Sequence, residues 1–106
     1  MIILALDFIT LTHLIEHSQI NIFPNPFTTS TTLEIKSQFI NPKSPIIFEM
    51  YDIFGRKIKQ QEIKNSKAEI PRGNLPSGIY FYKVSNLLSF GGGWGEVIGT
   101  GKLVVE

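Results

Sequence analysis

A chain of 106 residues fits one domain with a single core and leaves no room for an enzyme domain joined to a partner module. Ten basic residues against nine acidic ones give a formal charge of +1, which asks for neither nucleic acid nor an anionic membrane as partner. With no cysteine the chain builds no disulfide and no thiolate metal site, a composition that suits the cytosol and an exported domain equally.

The opening, MIILALDFITLTHLIEH, is apolar, but it lacks a basic start and a small-x-small cleavage site and carries Asp7, so it is not read as a signal peptide. Its longest uncharged stretch, Phe8 to Ile15, falls far short of the roughly 20 residues of a membrane helix, and no integral membrane segment is expected. HLIEH, His13 to His17, has the H-x-x-E-H spacing of the inverted zincin proteases. That chemistry needs both histidines on one helical face, a third ligand from a distant helix and a cleft for the peptide. The β-branched surroundings FITLTHLI and a strand-rich remainder supply none of these, so the spacing is read as chance and no metal is expected. Residues 1–18 share no rhythm with the rest and are placed outside the domain, as an extra strand, a short helix or a remnant of upstream cargo or linker.

From residue 19 strand and turn patterns dominate. FPNPF, residues 23 to 27, puts two prolines around one asparagine. Proline lacks an amide hydrogen and pushes the preceding residue toward extended conformations, so Ile22 to Phe27 should be an edge strand leaving its sheet. Phe23 and Phe27 are expected to drop their rings into the core on either side of the kink. Leu33, Ile35 and Phe39 alternate with polar neighbours. Ile46, Phe48 and Met50 alternate with Ile47, Glu49 and Tyr51, as do Tyr80, Tyr82 and Val84 with Ile79, Phe81 and Lys83.

Turn chemistry separates these runs. In DIFGRK, Gly55 offers the positive φ of a three-residue hairpin loop with a bulge, folding strand 46–52 onto 56–63. KNSK, residues 64–67, suits a tighter reversal, and NLPSGIY places Pro76 and Gly78 at the second and fourth positions of a type I turn. GGGWG, residues 91–95, forms the tip of a last hairpin joining 79–86 to 96–105. About seven strands, each with one apolar face, hide those faces most economically in an all-β, immunoglobulin-like antiparallel β-sandwich.

No chemical constellation survives its plainer reading. GTGK, residues 99–102, lacks the first glycine and the Ser or Thr of a phosphate-binding loop and reads as a strand with a glycine-mediated bend. Arg56, Lys57, Lys59, Lys64 and Lys67 are diluted by Glu62 and Glu69 and read as a solvated face. Trp94, among glycines at a loop tip, is read first as covering the end of the sandwich, as loop aromatics more often do, and second as stacking on a sugar or a protein partner. No Ser, His and Asp set stands in a nucleophile context, so no enzyme activity and no cofactor are expected.

Four pieces in order, NIFPNPFTTSTTLEI, FEMYDIFGRKIKQ, NLPSGIYFYKV and GTGKLVV, resemble the type A C-terminal sorting domain of type IX secretion cargo over residues 19–106. Phe23 stands where that family usually has tyrosine, and Pro24, Asn25 and Pro26 match its opening motif. Asp52 and Gly55 match its hairpin, and Leu75, Pro76, Gly78 and Tyr80 its Pro-x-Gly-x-Tyr region. Lys102 matches its lysine-bearing terminal strand, while LLSFGGGWGEV is longer and richer in glycine than its final hairpin.

The resemblance implies a non-enzymatic address label, carried with its cargo through the inner membrane, folded in the periplasm and read by the outer-membrane translocon. A sorting peptidase then removes it, and the cargo is released or held at the cell surface. Signal information is expected in the last strands, Ile79 to Glu106, with Gly101, Lys102, Leu103, Val104 and Val105 as candidate translocon contacts. Without a large cargo or an export signal, the chain is expected to be a fragment. The alternative is an adhesion or carbohydrate-binding sandwich whose loop tips and Trp94 touch a glycan.

Overall fold

The computed structural model describes residues 20–36, 45–87 and 95–106. They form seven strands: β1 (Ile20–Phe23), β2 (Ser30–Ile35), β3 (Ile46–Tyr51), β4 (Lys57–Ile63), β5 (Lys67–Pro71), β6 (Gly78–Leu87) and β7 (Gly95–Val105). Two antiparallel sheets, ordered β1-β2-β5 and β4-β3-β6-β7, pack as an immunoglobulin-like β-sandwich.

Period-two patterning builds the core as expected. Ile46, Phe48 and Met50 are buried on the inner side of β3, and Glu49 and Tyr51 take its outer side. Leu33 and Ile35 from β2 and Ile70 from β5 meet Tyr80, Val84, Leu103 and Val105 from the opposite layer. The expected partner Phe39 lies outside the described residues.

The hairpin between β3 and β4 has the anticipated loop. Gly55 N–H donates to Asp52 O at 3.0 Å, Asp52 N–H donates to Arg56 O at 3.0 Å, and Gly55 takes φ +83°, the left-handed value that closes such a loop. The register shifts beside it, between Met50 and Tyr51. The last hairpin is long, pairing Gly78 with Val105 at its base and Leu87 with Gly95 near its tip. The tip itself, with Trp94, lies outside the described residues.

Two turns differ from the sequence reading. KNSK is no hairpin: β4 belongs to the four-stranded sheet and β5 to the other, so the chain crosses between layers at 64–66. The cause is tertiary, because Ile63 and Ile70 must face the core from opposite sides, and β5 finds its partner in β2 with Thr31 opposite Ile70. The hydrogen-bonded turn expected at Leu75 to Gly78 closes earlier, with Leu75 N–H donating to Arg72 O at 3.2 Å. Gly73, at φ +60°, supplies the left-handed residue there, leaving Leu75 free to extend as a residue before proline prefers.

No bend falls within GTGK, whose residues pair in unbroken register; the bulge lies just before it, since Val84 pairs with Gly99 but Ser85 with Val97, leaving Ile98 extra. These glycines serve close approach. A Cβ on Gly99 would stand 2.6 Å from Ile20 Cδ1, and one on Gly101 2.7 Å from the Tyr82 ring. Tyr82 stacks beside Phe48, their ring centroids 6.0 Å apart, so moving the ring aside disturbs that packing as well. Gly101→Ala should therefore destabilise the fold by about 1 to 3 kcal/mol through overpacking. Urea unfolding reads this directly, and a midpoint equal to that of the parent would refute it.

Candidate functional site

The closing strand β7 lies at the edge of its sheet, and the proline motif covers that edge. After Phe23 the chain leaves β1 and crosses to the other sheet, with both Phe23–Pro24 and Asn25–Pro26 cis. Phe27 then bridges Val105 in parallel: Phe27 N–H donates to Val104 O at 3.0 Å and Glu106 N–H to Phe27 O at 2.9 Å.

Between these contacts the prolines have no N–H to offer, so a side chain does the pairing. The Asn25 amide donates from Nδ2 to Lys102 O at 2.8 Å, and its Oδ1 accepts from Val104 N–H at 3.0 Å. Only a primary amide carries both donor and acceptor in this spacing, which is the physical reason for asparagine here. Thr31 Oγ1, itself buried, donates to Pro24 O at 2.7 Å and ties the clasp back to β2.

The two phenylalanines of the motif are not equivalent, which corrects the expectation that both reach the core. Phe27 is 2% exposed and Phe23 44%. Alternation in β1 explains it: Ile20 and Ile22 face inward, so Phe23 faces out.

The other motif residues converge at the hairpin pole. Asp52 Oδ1 accepts from Phe54 N–H at 2.9 Å and Arg56 N–H at 3.0 Å, and its Oδ2 accepts from Arg56 Nε at 2.8 Å. The backbone bond from Arg56, followed by its side chain and Phe54 N–H, outweighs the opposing effect of desolvation and holds this carboxyl below its usual range. Tyr80 Oη donates to Pro76 O at 2.6 Å, the corner contact of a sandwich fold. Asp52, Leu75, Pro76 and Tyr80, far apart in sequence, line one shallow cleft of about 320 Å³. Gly78 opens β6 opposite Val105.

A family model described as the secretion system C-terminal sorting domain matches residues 21–89, which hold the clasp and this whole pole. The chain belongs to this family. It is a C-terminal sorting signal of type IX secretion, which implies contact with that system's machinery and export to the cell surface or the medium. The match ends before β7. A search of curated proteins found no match to the chain.

Within the sorting domain the five candidate contacts on β7 divide. Leu103 and Val105 are buried in the core, and Gly101 lies under Tyr82. Lys102 is exposed opposite Phe81, and Val104 is half-buried opposite Ile79. Nothing in the sequence singles out Arg72, yet it fastens the end of the strand. Its Nη1 donates to Glu106 O at 2.8 Å and Thr28 O at 3.1 Å, its Nε to Leu75 O at 2.9 Å, and its Nη2 to Ser77 Oγ at 3.2 Å. An arginine between Pro71 and Gly73 marks a turn, but its partner 34 residues away leaves no trace in spacing.

The basic residues of the middle strands are dispersed. Arg56 pairs with Asp52, Lys57 with Glu49 and Lys67 with Glu34, while Lys59 donates to Pro71 O and Gln61 Nε2 to Glu69 O, covering the edge of β5. His13 and His17 lie outside the described residues, as does Trp94.

Proposed function

We propose that the sorting domain addresses a cargo to the type IX outer-membrane translocon, that the hairpin of β6 and β7 is the part read there, and that the system's sorting peptidase then removes the domain. The domain is a label with no chemistry of its own. The clasp carries this reading. Asn25 and Phe27 hold Lys102, Val104 and Glu106, so the closing strand is displayed in a fixed register only once the whole sandwich has formed. A label so built signals that its own sandwich has closed, whatever cargo precedes it. No observation among the described residues favours glycan binding.

The test is to fuse the full chain behind an export signal and a reporter in a host carrying the secretion system. Delivery of the reporter to the cell surface should be abolished by removing residues 95–106. Undiminished delivery after that deletion would end the reading.

A further inference from the structure

Resting on that reading, we propose that the outer face of β3, β6 and β7 is the surface the export machinery grips, and that the gripping surface presents acidic side chains around an apolar strip. Backbone pairing is the first rival, and the clasp limits it. Val104 turns both its N–H and its C=O to the clasp, so by alternation Lys102 and Thr100 point their backbone groups to the same edge. Lys102 O is already taken by Asn25. Between the bulge at Ile98 and the clasp, the edge offers only Thr100 and the N–H of Lys102, too short a run to seat an added strand.

Side chains on the sheet face remain, and they are unusual for a surface. Ile79 is 47% and Phe81 45% exposed. Cross-strand register makes them contiguous with their neighbours: Tyr51 lies opposite Phe81, Phe81 opposite Lys102, and Ile79 opposite Val104. Adjacent large apolar groups on a flat face mark an interaction site more often than a solvated wall.

Charge then selects the partner. Lys57, Lys83 and Lys102 rim the patch; Glu62, opposite Ile47, and Glu106, two residues beyond Val104, stand toward the two ends of the face, and the acidic group among the lysines is Glu49. That one carboxylate is shared, with Lys57 Nζ at 3.4 Å and Lys83 Nζ at 3.6 Å, and Lys83 also sits 5.9 Å from the Tyr51 ring centroid. Lys102 has no acidic partner among the described residues. The middle of the face, around Tyr51 and Phe81, therefore carries apolar area with three lysines against one carboxylate, complementary to an apolar strip bordered by carboxylates.

The reporter fusion tests this with Phe81→Thr, Lys102→Glu, Lys102→Arg and, on a distant exposed site, Lys64→Glu. Phe81→Thr and Lys102→Glu should each lower surface delivery at least tenfold while the purified chains keep the parent's unfolding midpoint. Lys102→Arg and Lys64→Glu should deliver as the parent does. If the first two variants deliver normally while removal of 95–106 abolishes delivery, the face is not the grip and the sorting reading stands. Equal loss with Lys64→Glu, or a purified chain that sediments as a Phe81-dependent dimer, would overturn the proposal as well. In the first case the effect is general charge; in the second a further copy of the chain occupies the patch.

Discussion

Phe27→Ala destabilises the sorting domain by about 3 to 5 kcal/mol, whereas Phe23→Ala, in the same five-residue motif, changes it by less than about 1 kcal/mol. The contrast follows from exposure, 2% against 44%. Removing the Phe27 ring leaves a cavity between the layers at the point where the clasp meets β7, and the surrounding strands are pinned by backbone bonds to Val104 and Glu106 and cannot collapse into it. Removing the Phe23 ring exchanges a half-wet surface for water. A domain of this size has roughly 5 to 15 kcal/mol in total, so the first variant is left near the edge of folding. Urea midpoints at constant slope measure both, and equal losses would mean that the two rings share one environment.

Leu103→Ala carries the second large effect, about 2 to 5 kcal/mol, against no more than about 0.5 kcal/mol for Lys102→Ala beside it. Leu103 is wholly buried opposite Tyr80, while the Lys102 side chain stands in solvent. The pair separates two ways in which the closing strand can fail. Leu103→Ala should reduce delivery because the sandwich is no longer fully formed, and its loss should be relieved by lowering the growth temperature toward the stability maximum. Lys102→Glu should reduce delivery with the fold intact. A Leu103→Ala chain as stable as the parent would show that β7 is not part of the core.

Both predictions concern side chains whose chemistry is plain in the sequence but whose surroundings are not. Alternation placed Phe48, Met50, Tyr80 and Val84 inside correctly, because the two-residue repeat of a strand is a local property of its backbone. Gly55 marked its loop for the same reason, since a left-handed residue is demanded by the turn itself. The prolines of FPNPF announced a strand leaving its sheet, because a missing N–H is visible in the residue type. The register within that motif was harder to read, since an aromatic ring next to a kink looks equally suited to either side.

The candidate site was legible only in outline. Pro24, Asn25, Pro26, Asp52, Leu75, Pro76, Gly78 and Tyr80 are all singled out by the sequence, and the fold places them in the clasp or near the hairpin pole. What Asn25 bonds to was not legible, because its partners lie 77 and 79 residues away and no local pattern encodes a contact of that separation. Arg72 carries no local signal for the same reason.

Residue order alone already implied a strand-built domain from residue 19 onward, where most of its strands run, which of their faces are apolar and which family motifs it carries. Each of these depends on neighbours within a few residues, through backbone sterics and the alternation of side chains. Packing of the two layers sends β5 to the other sheet, sets Asn25 in place of a strand along β7, and brings Phe27 rather than Phe23 into the core. Those choices are settled by which distant surfaces must be buried together and which unpaired backbone groups must find a partner, and both conditions exist only when the two layers meet.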